Sequence, residues 1–560
     1  MPFRAPVAEY RFILDQVVPL AQVAATARFG AAQPDLAEAV LTEAARVADA
    51  VIAPLNRAGD KTPARLENGV VRTSPGFAAG YRALAEGGWI ATAAPVEYGG
   101  MGLPQALNAC VNDMMSGACM ALQLNPVLAQ GQIEALEHHA SDEIKALYLP
   151  RLISGEWTGT MNLTEPQAGT DVGALRTRAE PAGDGTYKIT GQKIFITWGD
   201  HDFGGNVCHL VLARLPDAVP GVKGISLFMV PKFIPGRDGS LGRRNALQVV
   251  SLEHKMGIHG SPTCVMAYEG ATGWLVGAPH QGMAAMFTMM NNARLAVGMQ
   301  GIGVAEAAWQ QALDYARERR QMGRIADHPD VRRMLWSARA DIFAARAIGL
   351  ACAAATDMAV ATGDAAWKAR AALLTPVAKS FGSEVGSEVS DMAVQVHGGM
   401  GFIEETGVAQ FYRDVRIASI YEGTNGIQAI DLVGRKLADG GEALFRLLDE
   451  VEAGAEVARA ALPALAGAVW SAAETLREAT EAMVATDAGR RQAGALPFLR
   501  ALARVLGAHF HLRAALADPA RLPLAEVYVG RLLPRFAAHL AEVRAGGEAL
   551  MAIDPDDMAA

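Results

Sequence analysis

The spacing of apolar residues along the chain changes twice. From about residue 10 to residue 155, stretches such as "LAEAVLTEAARVADAVIAPLNRAG" repeat apolar residues every three or four positions, which predicts helices broken at Gly and Pro. Near residue 157 the period becomes two in "TYKITGQKIFITW", "CHLVLARL", "GISLFMVPKF" and "SPTCVMAYEG". Such short, β-branched runs are typical of strands in a mostly antiparallel sheet. After about residue 280 the helical period returns.

These changes divide the chain into four parts. We expect a helical domain at 1–156, a β-domain at 157–282, a helical bundle at 283–439 and an additional helical domain at 440–560, after the "LADGGE" break. The fold class is therefore mainly α with a middle β-domain. The last part is rich in Ala and Leu and has no cluster of reactive residues, so we expect it to pack on the core or across a dimer interface.

Composition narrows the classes of function. The chain has 560 residues, too many for one ordinary core, and 51% of them are hydrophobic. Its 59 acidic residues exceed its 50 Lys and Arg, giving a net charge of −9. No general field therefore attracts nucleic acid, and an anionic ligand would have to be held by local arginines.

The cysteines favour a reducing, cytoplasmic compartment. They are widely spaced without a CxxC pair: Cys110, Cys119, Cys208, Cys264 and Cys352. No metal site is predicted, because the histidine pairs lack further ligands at suitable spacing. The N-terminus shows no signal peptide, and apolar runs such as "GLACAAATDMAVAT" meet acidic residues before they reach the length of a membrane span.

The stretch "SIYEGTNGIQ" carries an acidic residue, Glu422, just before a predicted helix with Thr424 as its N-cap. A carboxylate at this place is favoured by the helix dipole alone, so a structural role suffices. A catalytic base is the alternative. The local sequence leaves both open.

Two further stretches lie in the β-domain. In "MNLTEPQAGTDVG" a strand is expected to end at Thr164, and Gly169 and Thr170 offer backbone amides and a hydroxyl to a ligand; the alternative is an ordinary turn. In "QKIFITWG" the alternation places Phe195 and Thr197 on one face, which suits a flat heteroaromatic ring and equally an ordinary sheet face.

Two stretches lie in the second helical part. "VQVHGGMGF" has three glycines but no strand before it, which argues against a Rossmann fingerprint and still allows pyrophosphate binding on exposed amides. "ARERRQMGR" places a basic cluster near a helix end, where the alternative is a solvated terminus that complements the dipole.

Together these residues resemble the acyl-CoA dehydrogenase family of flavoenzymes. The resemblance rests on "LTEPQAGTD", "KIFITWG", "HKMGIHGSPT", "ERRQMG", "QVHGGMGF" and "RDVRIASIYEGTNGIQ", in family order over roughly residues 75 to 437. It implies a helical domain, a β-barrel-like domain and a helical bundle. The flanks and the extra helical tail resemble the longer subclass that includes 3-methylmercaptopropionyl-CoA dehydrogenases.

The resemblance also implies roles for single residues. Glu422 would be the base that removes the α-proton of an acyl-CoA thioester while the β-hydride passes to FAD. The substrate would be bound by Arg294, Tyr421 and Gly423. The residues implied for FAD are Met161, Leu163, Thr164, Gly169, Thr170, Phe195, Thr197, Arg319, Gln321, Gln395, Gly398, Gly399 and Thr424. Arg319 and Gln395 would reach the FAD of a neighbouring subunit, which implies a homo-oligomer, with a dimer favoured.

The implied reaction is FAD-dependent formation of a trans-2-enoyl-CoA, with electrons passed to an electron-transfer flavoprotein. The favoured substrate is 3-methylmercaptopropionyl-CoA, and a medium, long or branched acyl-CoA is the alternative. Two rival functions stay open, an acyl-CoA oxidase and a catalytically silent helical interaction protein. Phe195, Trp198 and Met322 stand where many family members carry Trp, Asn and Phe, so the shape of the acyl pocket is open.

Overall fold

The first part of the chain is helical, as the periodicity predicts. The computed structural model describes residues 3–18, 20–554 and 556. The helices of this part are α1 (Val7–Phe12), α2 (Leu20–Ala24), α3 (Pro34–Val47), α4 (Ala53–Lys61), α5 (Phe77–Glu86), α6 (Gln105–His139) and α7 (Asp142–Ile153). A short antiparallel hairpin, β1 (Arg65–Glu67) and β2 (Val70–Arg72), lies between α4 and α5 and was not expected.

Helix α6 corrects the expectation that Gly and Pro break the helices. It runs through Gly117 and Pro126, and its kink lies at Cys119, where φ is −160° and ψ is 91°. A Cβ on Gly117 would lie 2.7 Å from the carbonyl oxygen of Gly303, so this glycine allows another helix to approach closely. Packing therefore decides the course of this buried helix.

The β-domain is a seven-stranded sheet that closes on itself. Strand β11 pairs with β5, β5 with β4, β4 with β6, β6 with β7, and β7 with β11 again, which confirms the barrel-like form. Within the seven-stranded sheet, β6 pairs in parallel with β3 and β4, and the other pairs are antiparallel. Its seven strands are β3 (Thr158–Asn162), β4 (Arg178–Pro181), β5 (Tyr187–Thr197), β6 (Val207–Arg214), β7 (Ile225–Pro231), β10 (Leu247–Leu252) and β11 (Thr263–Val276). Between β7 and β10, β8 (Phe233–Pro235) and β9 (Leu241–Arg244) form a separate antiparallel pair. Strand β3 ends at Asn162, two residues before the expected end.

The bundle that follows contains three long helices and two short ones: α8 (Gly282–Glu318), α9 (Pro329–Thr362), α10 (Ala365–His397), α11 (Val408–Val415) and α12 (Asn425–Asp431). Among the described helices, α9 alone is long and apolar enough to cross a membrane, although a shorter apolar run was expected here. Of its most apolar window, 94% is buried inside the protein, so this surface is used for packing.

The additional domain consists of α13 (Glu442–Ala458), α14 (Pro463–Ala485), α15 (Ala488–Arg491), α16 (Ala495–Ala517), α17 (Leu522–Val527), α18 (Arg535–Ala545) and α19 (Glu548–Met551). Its central helix, α16, packs on α9, α10 and α12, and its buried residues share one core with the bundle. Arg504 of α16 is buried against Asp341 of α9 and stacks over Phe381 of α10 at 5.1 Å. The tail is thus part of the folded body.

A buried ionic cluster joins the two ends of the chain to its centre. Arg346 of α9 is fully buried and donates to Asp113 of α6 at 2.7 Å, to Glu306 of α8 at 3.0 Å and to Glu9 of α1. From the additional domain, Arg521 approaches Glu9 to 3.5 Å. Since five segments meet here, the cluster fixes how they pack.

We expect Arg346→Met to lower the free energy of unfolding by about 3–5 kcal/mol, because it leaves the buried Asp113 without its cation. Glu9 and Glu306, in contrast, keep Arg339. Urea unfolding followed by circular dichroism measures this.

Arg446→Met is the control, since Arg446 is exposed and pairs with Glu442 one turn earlier in α13, so its loss should cost about 0.5 kcal/mol or less. Equal losses in the two variants would contradict a central role for the cluster.

Candidate active site

The loop that carries Glu422 has an unusual backbone. Glu422 has a φ of 56° and Gly423 a φ of 85°, so two successive residues are left-handed. The φ of Gly423 would strain any residue with a side chain, and a Cβ there would also press on Nε2 of Gln428 at 2.8 Å, so this position favours glycine. The helix predicted after it is confirmed: the Thr424 hydroxyl accepts a hydrogen bond from the Ile427 N–H at 3.3 Å. A non-glycine residue held at positive φ costs energy and is frequent at functional sites.

The buried amine of Lys379 holds the loop that carries Glu422. Lys379 of α10 is fully buried, and its Nζ donates to the Gly423 carbonyl and to Oδ1 of Asn425, both at 2.9 Å. Nε2 of Gln428 donates to the Glu422 carbonyl at 3.0 Å. These bonds fix the main chain around Glu422 and leave its carboxylate unused.

The carboxylate of Glu422 is poised to take up a proton. Its Oε2 is buried and has no hydrogen-bond partner among the described residues. Burial raises the pKa of Glu422 to about 7, although Arg294 and Lys379 act to lower it. Burial likewise lowers the pKa of Lys379 to about 8. An unpaired carboxylate with a pKa near neutrality is suited to general base catalysis.

The three residues implied for the substrate adjoin this carboxylate. Tyr421 and Gly423 flank it in the chain, and the Tyr421 hydroxyl donates to Gln300 of α8. Arg294 of α8 is buried, lies 3.6 Å from Asp431 and has a buried Nε with no hydrogen-bond partner in the described part of the chain. It also lines a cavity of about 520 Å³ between α6, α8, α9 and α10. The structure therefore brings this group together.

A second group lies at the ends of β3 and β5. A β-bulge in β5 gives Phe195 a φ of 59°, and its ring is 59% exposed. Thr197 is partly exposed and its carbonyl accepts from Thr160, next to Met161, at 2.9 Å. The Thr164 carbonyl accepts from Ile194 at 2.9 Å. Met161 and Thr164 are partly exposed, Leu163 is nearly buried, and Gly169 and Thr170 are exposed on the following loop.

A third group lies at one end of the helical bundle. Tyr315 near the end of α8 stacks on His397 at the end of α10, with ring centroids 4.2 Å apart. Arg319 and Gln321 follow the first helix, and all of the implied residues here are exposed: Arg319, Gln321, Gln395, Gly398 and Gly399. Thr424, beside the base, is exposed as well.

The strand group and the bundle group fit the two ends of a dinucleotide. An exposed aromatic ring beside hydroxyl groups suits a flat heteroaromatic ring, and exposed arginine and glycine amides suit a pyrophosphate. A Cβ on Gly169, Gly398 or Gly399 would meet nothing within 4 Å, so the backbone is open to a ligand at all three. The residues present therefore fit FAD.

Sequence reasoning missed the residues that support these groups. Lys379 is the only charged residue in "TPVAKSFG". A single lysine on a helix that faces the core is the sequence feature that could have pointed to its role. In the β-domain, the buried Lys193 donates to Glu165 at 2.8 Å and to the Leu163 carbonyl at 3.0 Å. Glu165 also accepts from the Arg176 and Thr177 amides, so this pair fixes the loop after β3.

Family models match most of the chain. The acyl-CoA dehydrogenase N-terminal domain matches residues 34–156, the middle domain 160–271 and the C-terminal domain 280–437. A fourth model, described as acetyl-CoA dehydrogenase C-terminal like, matches residues 447–554.

Named relatives agree with these matches. The chain is 45% identical to a 3-methylmercaptopropionyl-CoA dehydrogenase of Ruegeria pomeroyi over 89% of this chain and 88% of the relative. It is 35% identical to the broad-specificity linear acyl-CoA dehydrogenase FadE5 of Mycobacterium tuberculosis, over 80% and 78%. A solved acyl-CoA dehydrogenase complexed with FAD from Bacillus anthracis has the same fold, with a TM-score of 0.78 at 21% identity over 99% and 93% of the chains.

Glu422→Gln should stabilise the protein at alkaline pH. The pKa of Glu422 is raised in the folded state, so the carboxylate destabilises the fold increasingly as pH rises from its ordinary value through about 7. We expect the variant to be more stable by about 2 kcal/mol at pH 8 and equal to the parent near pH 4. Thermal unfolding across pH measures the difference. A gap that widens towards acid pH would contradict the raised pKa.

Proposed function

Because the chain belongs to the acyl-CoA dehydrogenase family and uses its cofactor FAD, we propose that Glu422 is the base of its reaction and that 3-methylmercaptopropionyl-CoA is the favoured substrate. The observation that carries the role of Glu422 is its buried, unpaired carboxylate oxygen on a loop held only through its main chain.

The proposed chemistry begins with the α-proton of the thioester. An α-C–H is a weak acid, so the carboxylate must be held at contact distance and must be deprotonated. FAD held by the strand and bundle groups would supply the acceptor for the β-hydride, and loss of both hydrogens would leave a trans-2-enoyl-CoA. The Glu422 carboxylate takes up the α-proton and becomes a neutral acid. Arg294, within electrostatic reach, stabilises the carboxylate before the transfer.

We place the CoA part of the substrate along the cavity beside Arg294. Lys436 and Lys368 line the same cavity, so three cations face this space. They do so together with the carboxylates of Glu134 and Asp431. Cationic side chains in such a lining suit the phosphates of CoA, although the protein as a whole is acidic.

The acyl group is assigned by similarity. The Ruegeria pomeroyi relative supports 3-methylmercaptopropionyl-CoA. The Mycobacterium tuberculosis relative supports a linear acyl-CoA as the second candidate. A panel of acyl-CoA thioesters, including 3-methylmercaptopropionyl-CoA, tests the choice through bleaching of the flavin under anaerobic conditions. A higher kcat/KM for straight-chain thioesters than for the thioether substrate would overturn it.

We also propose that the protein is a homo-oligomer, with a dimer favoured, and that an electron-transfer flavoprotein accepts its electrons. Large apolar side chains are exposed next to the bundle group: Met322, Met400, Phe402 and Ile403. Met322 is 96% exposed and Phe402 is 88% exposed. Large apolar side chains grouped on a surface in this way are typical of a protein–protein interface. A second copy would cover them and would bring the bundle group of one subunit near a neighbouring FAD.

Glu422→Gln should lower turnover by at least about a hundredfold while FAD content and ligand affinity persist, because the amide keeps the size but cannot accept the proton. In the parent, kcat/KM should fall as pH drops below about 7, where Glu422 of the free enzyme becomes protonated. Steady-state kinetics across pH and the flavin spectrum measure both. Turnover within tenfold of the parent would exclude Glu422 as the base.

Arg319→Ala should weaken FAD retention and assembly together, since we place this exposed arginine at a cofactor shared between subunits. Flavin content and mass in solution by light scattering measure the two effects. Arg333→Ala is the control, because Arg333 is exposed on α9 and pairs with Asp330 of its own helix at 2.7 Å. A monomeric parent protein with full flavin content would contradict the proposal.

A further inference from the structure

An ion pair links the additional domain to α10, the helix that supports the base loop. Arg500 of α16 binds Glu384 of α10 in a bidentate manner: its Nε lies 3.0 Å from Oε2 and its Nη2 lies 3.1 Å from Oε1. The Glu384 side chain is only 15% exposed. Paired and largely shielded, this carboxylate has a defined orientation.

From Glu384 the contacts continue to the residue that follows the base by three positions. Nδ2 of Asn425 donates to Glu384 at 3.4 Å, to the Ser383 hydroxyl at 3.1 Å and to the Ser380 carbonyl at 3.4 Å. Oδ1 of Asn425 accepts from Lys379, whose amine also holds the Gly423 carbonyl. Asn425 therefore joins the domain contact to the amine that supports the loop.

We infer that Arg500 of the additional domain is a positioning residue for the catalytic base, acting through Glu384, Asn425 and Lys379; the inference rests on the proposed role of Glu422. Arg500 touches neither substrate nor cofactor. It orients Glu384, which helps to fix the amide plane of Asn425 so that Oδ1 faces the lysine amine. The domain is thereby a part of the active-site support.

The base loop needs such support because its backbone conformation is strained. Two successive residues at positive φ are held against their intrinsic preference, and the short helix after them contributes little stability of its own. If Asn425 turned, Lys379 would lose one of its two acceptors. The Gly423 carbonyl would then be held less firmly, and the Glu422 carboxylate would shift from its working position.

The test compares Arg500→Ala and Glu384→Gln in the full-length, FAD-loaded protein. Each should lower kcat by about tenfold and leave KM within about twofold, because the base is displaced while the substrate contacts stay. Arg500→Lys should restore part of the loss, since it keeps the charge without the bidentate geometry. Arg477→Ala is the matched control: Arg477 pairs with Glu452 and Asp449 inside the additional domain and should leave kcat unchanged.

The pH dependence separates positioning from a general loss of stability. The groups that act on the charge of Glu422 are Arg294 of α8 and Lys379 of α10, and Glu384 acts on Lys379 in turn. Loss of Arg500 leaves Glu384 uncompensated, so the acid limb of the kcat/KM profile, where activity falls as Glu422 is protonated, should move up by about half a pH unit. Loss of the Glu384 charge should move it down by about as much. The double variant should have a pH profile close to that of the parent. Its kcat should be no lower than that of the less active single variant.

The inference is overturned if the folded, FAD-loaded Arg500→Ala and Glu384→Gln proteins keep the parent kcat and acid limb. It is also overturned if Arg500→Ala and Glu384→Gln lower kcat no more than Arg477→Ala does and do not shift the acid limb in opposite directions. Glu422→Gln is measured beside them. If it stays active, the proposed base is wrong; if it is inactive while the other variants behave like the parent, only the role of Arg500 fails.

Discussion

The active site depends on keeping a carboxylate both fixed and unbonded. Hydrogen bonds to the Glu422 carboxylate would stabilise its charged form and lower its pKa, which would make it a weaker base. The structure avoids this by placing the bonds on the main chain instead: Lys379 holds the Gly423 carbonyl and Gln428 holds the Glu422 carbonyl. The side chain is then positioned by a rigid loop, and burial alone raises its pKa to about 7.

Buried lysines serve the same purpose in both domains that contribute to the site. Lys193 holds the Leu163 carbonyl in the β-domain, as Lys379 holds the Gly423 carbonyl in the bundle. Each amine also has a side-chain acceptor, Glu165 and Asn425 respectively. A buried amine without such partners would be costly, so each lysine requires its partner and fixes it in return. Loops on either side of the site are thus held by long-range contacts.

The sequence predicted the elements with local signals. Alternation located β5, β6, β7 and β11, and the N-cap Thr424 located α12, because both patterns are contained in a few neighbouring residues. The β1–β2 hairpin was missed because its strands have three residues each. The kink at Cys119 was missed because helix packing sets it. The resemblance to a family supplied the site residues, whereas Arg500 and Glu384, 116 positions apart, share no local signal.

The position of the additional domain follows from what α10 must do. One side of this helix carries the groups that bind Asn425 of the base loop, among them Lys379 and Ser383. These polar groups keep their hydrogen bonds only if the helix stays in place. Neighbouring positions are covered by α16, whose Arg500 pairs with Glu384 and whose Arg504 stacks on Phe381. A shift of α16 would therefore move α10 and the loop together. The ionic cluster around Arg346 also receives Arg521 from this domain, so the tail is anchored on the catalytic body at that cluster as well as along α16.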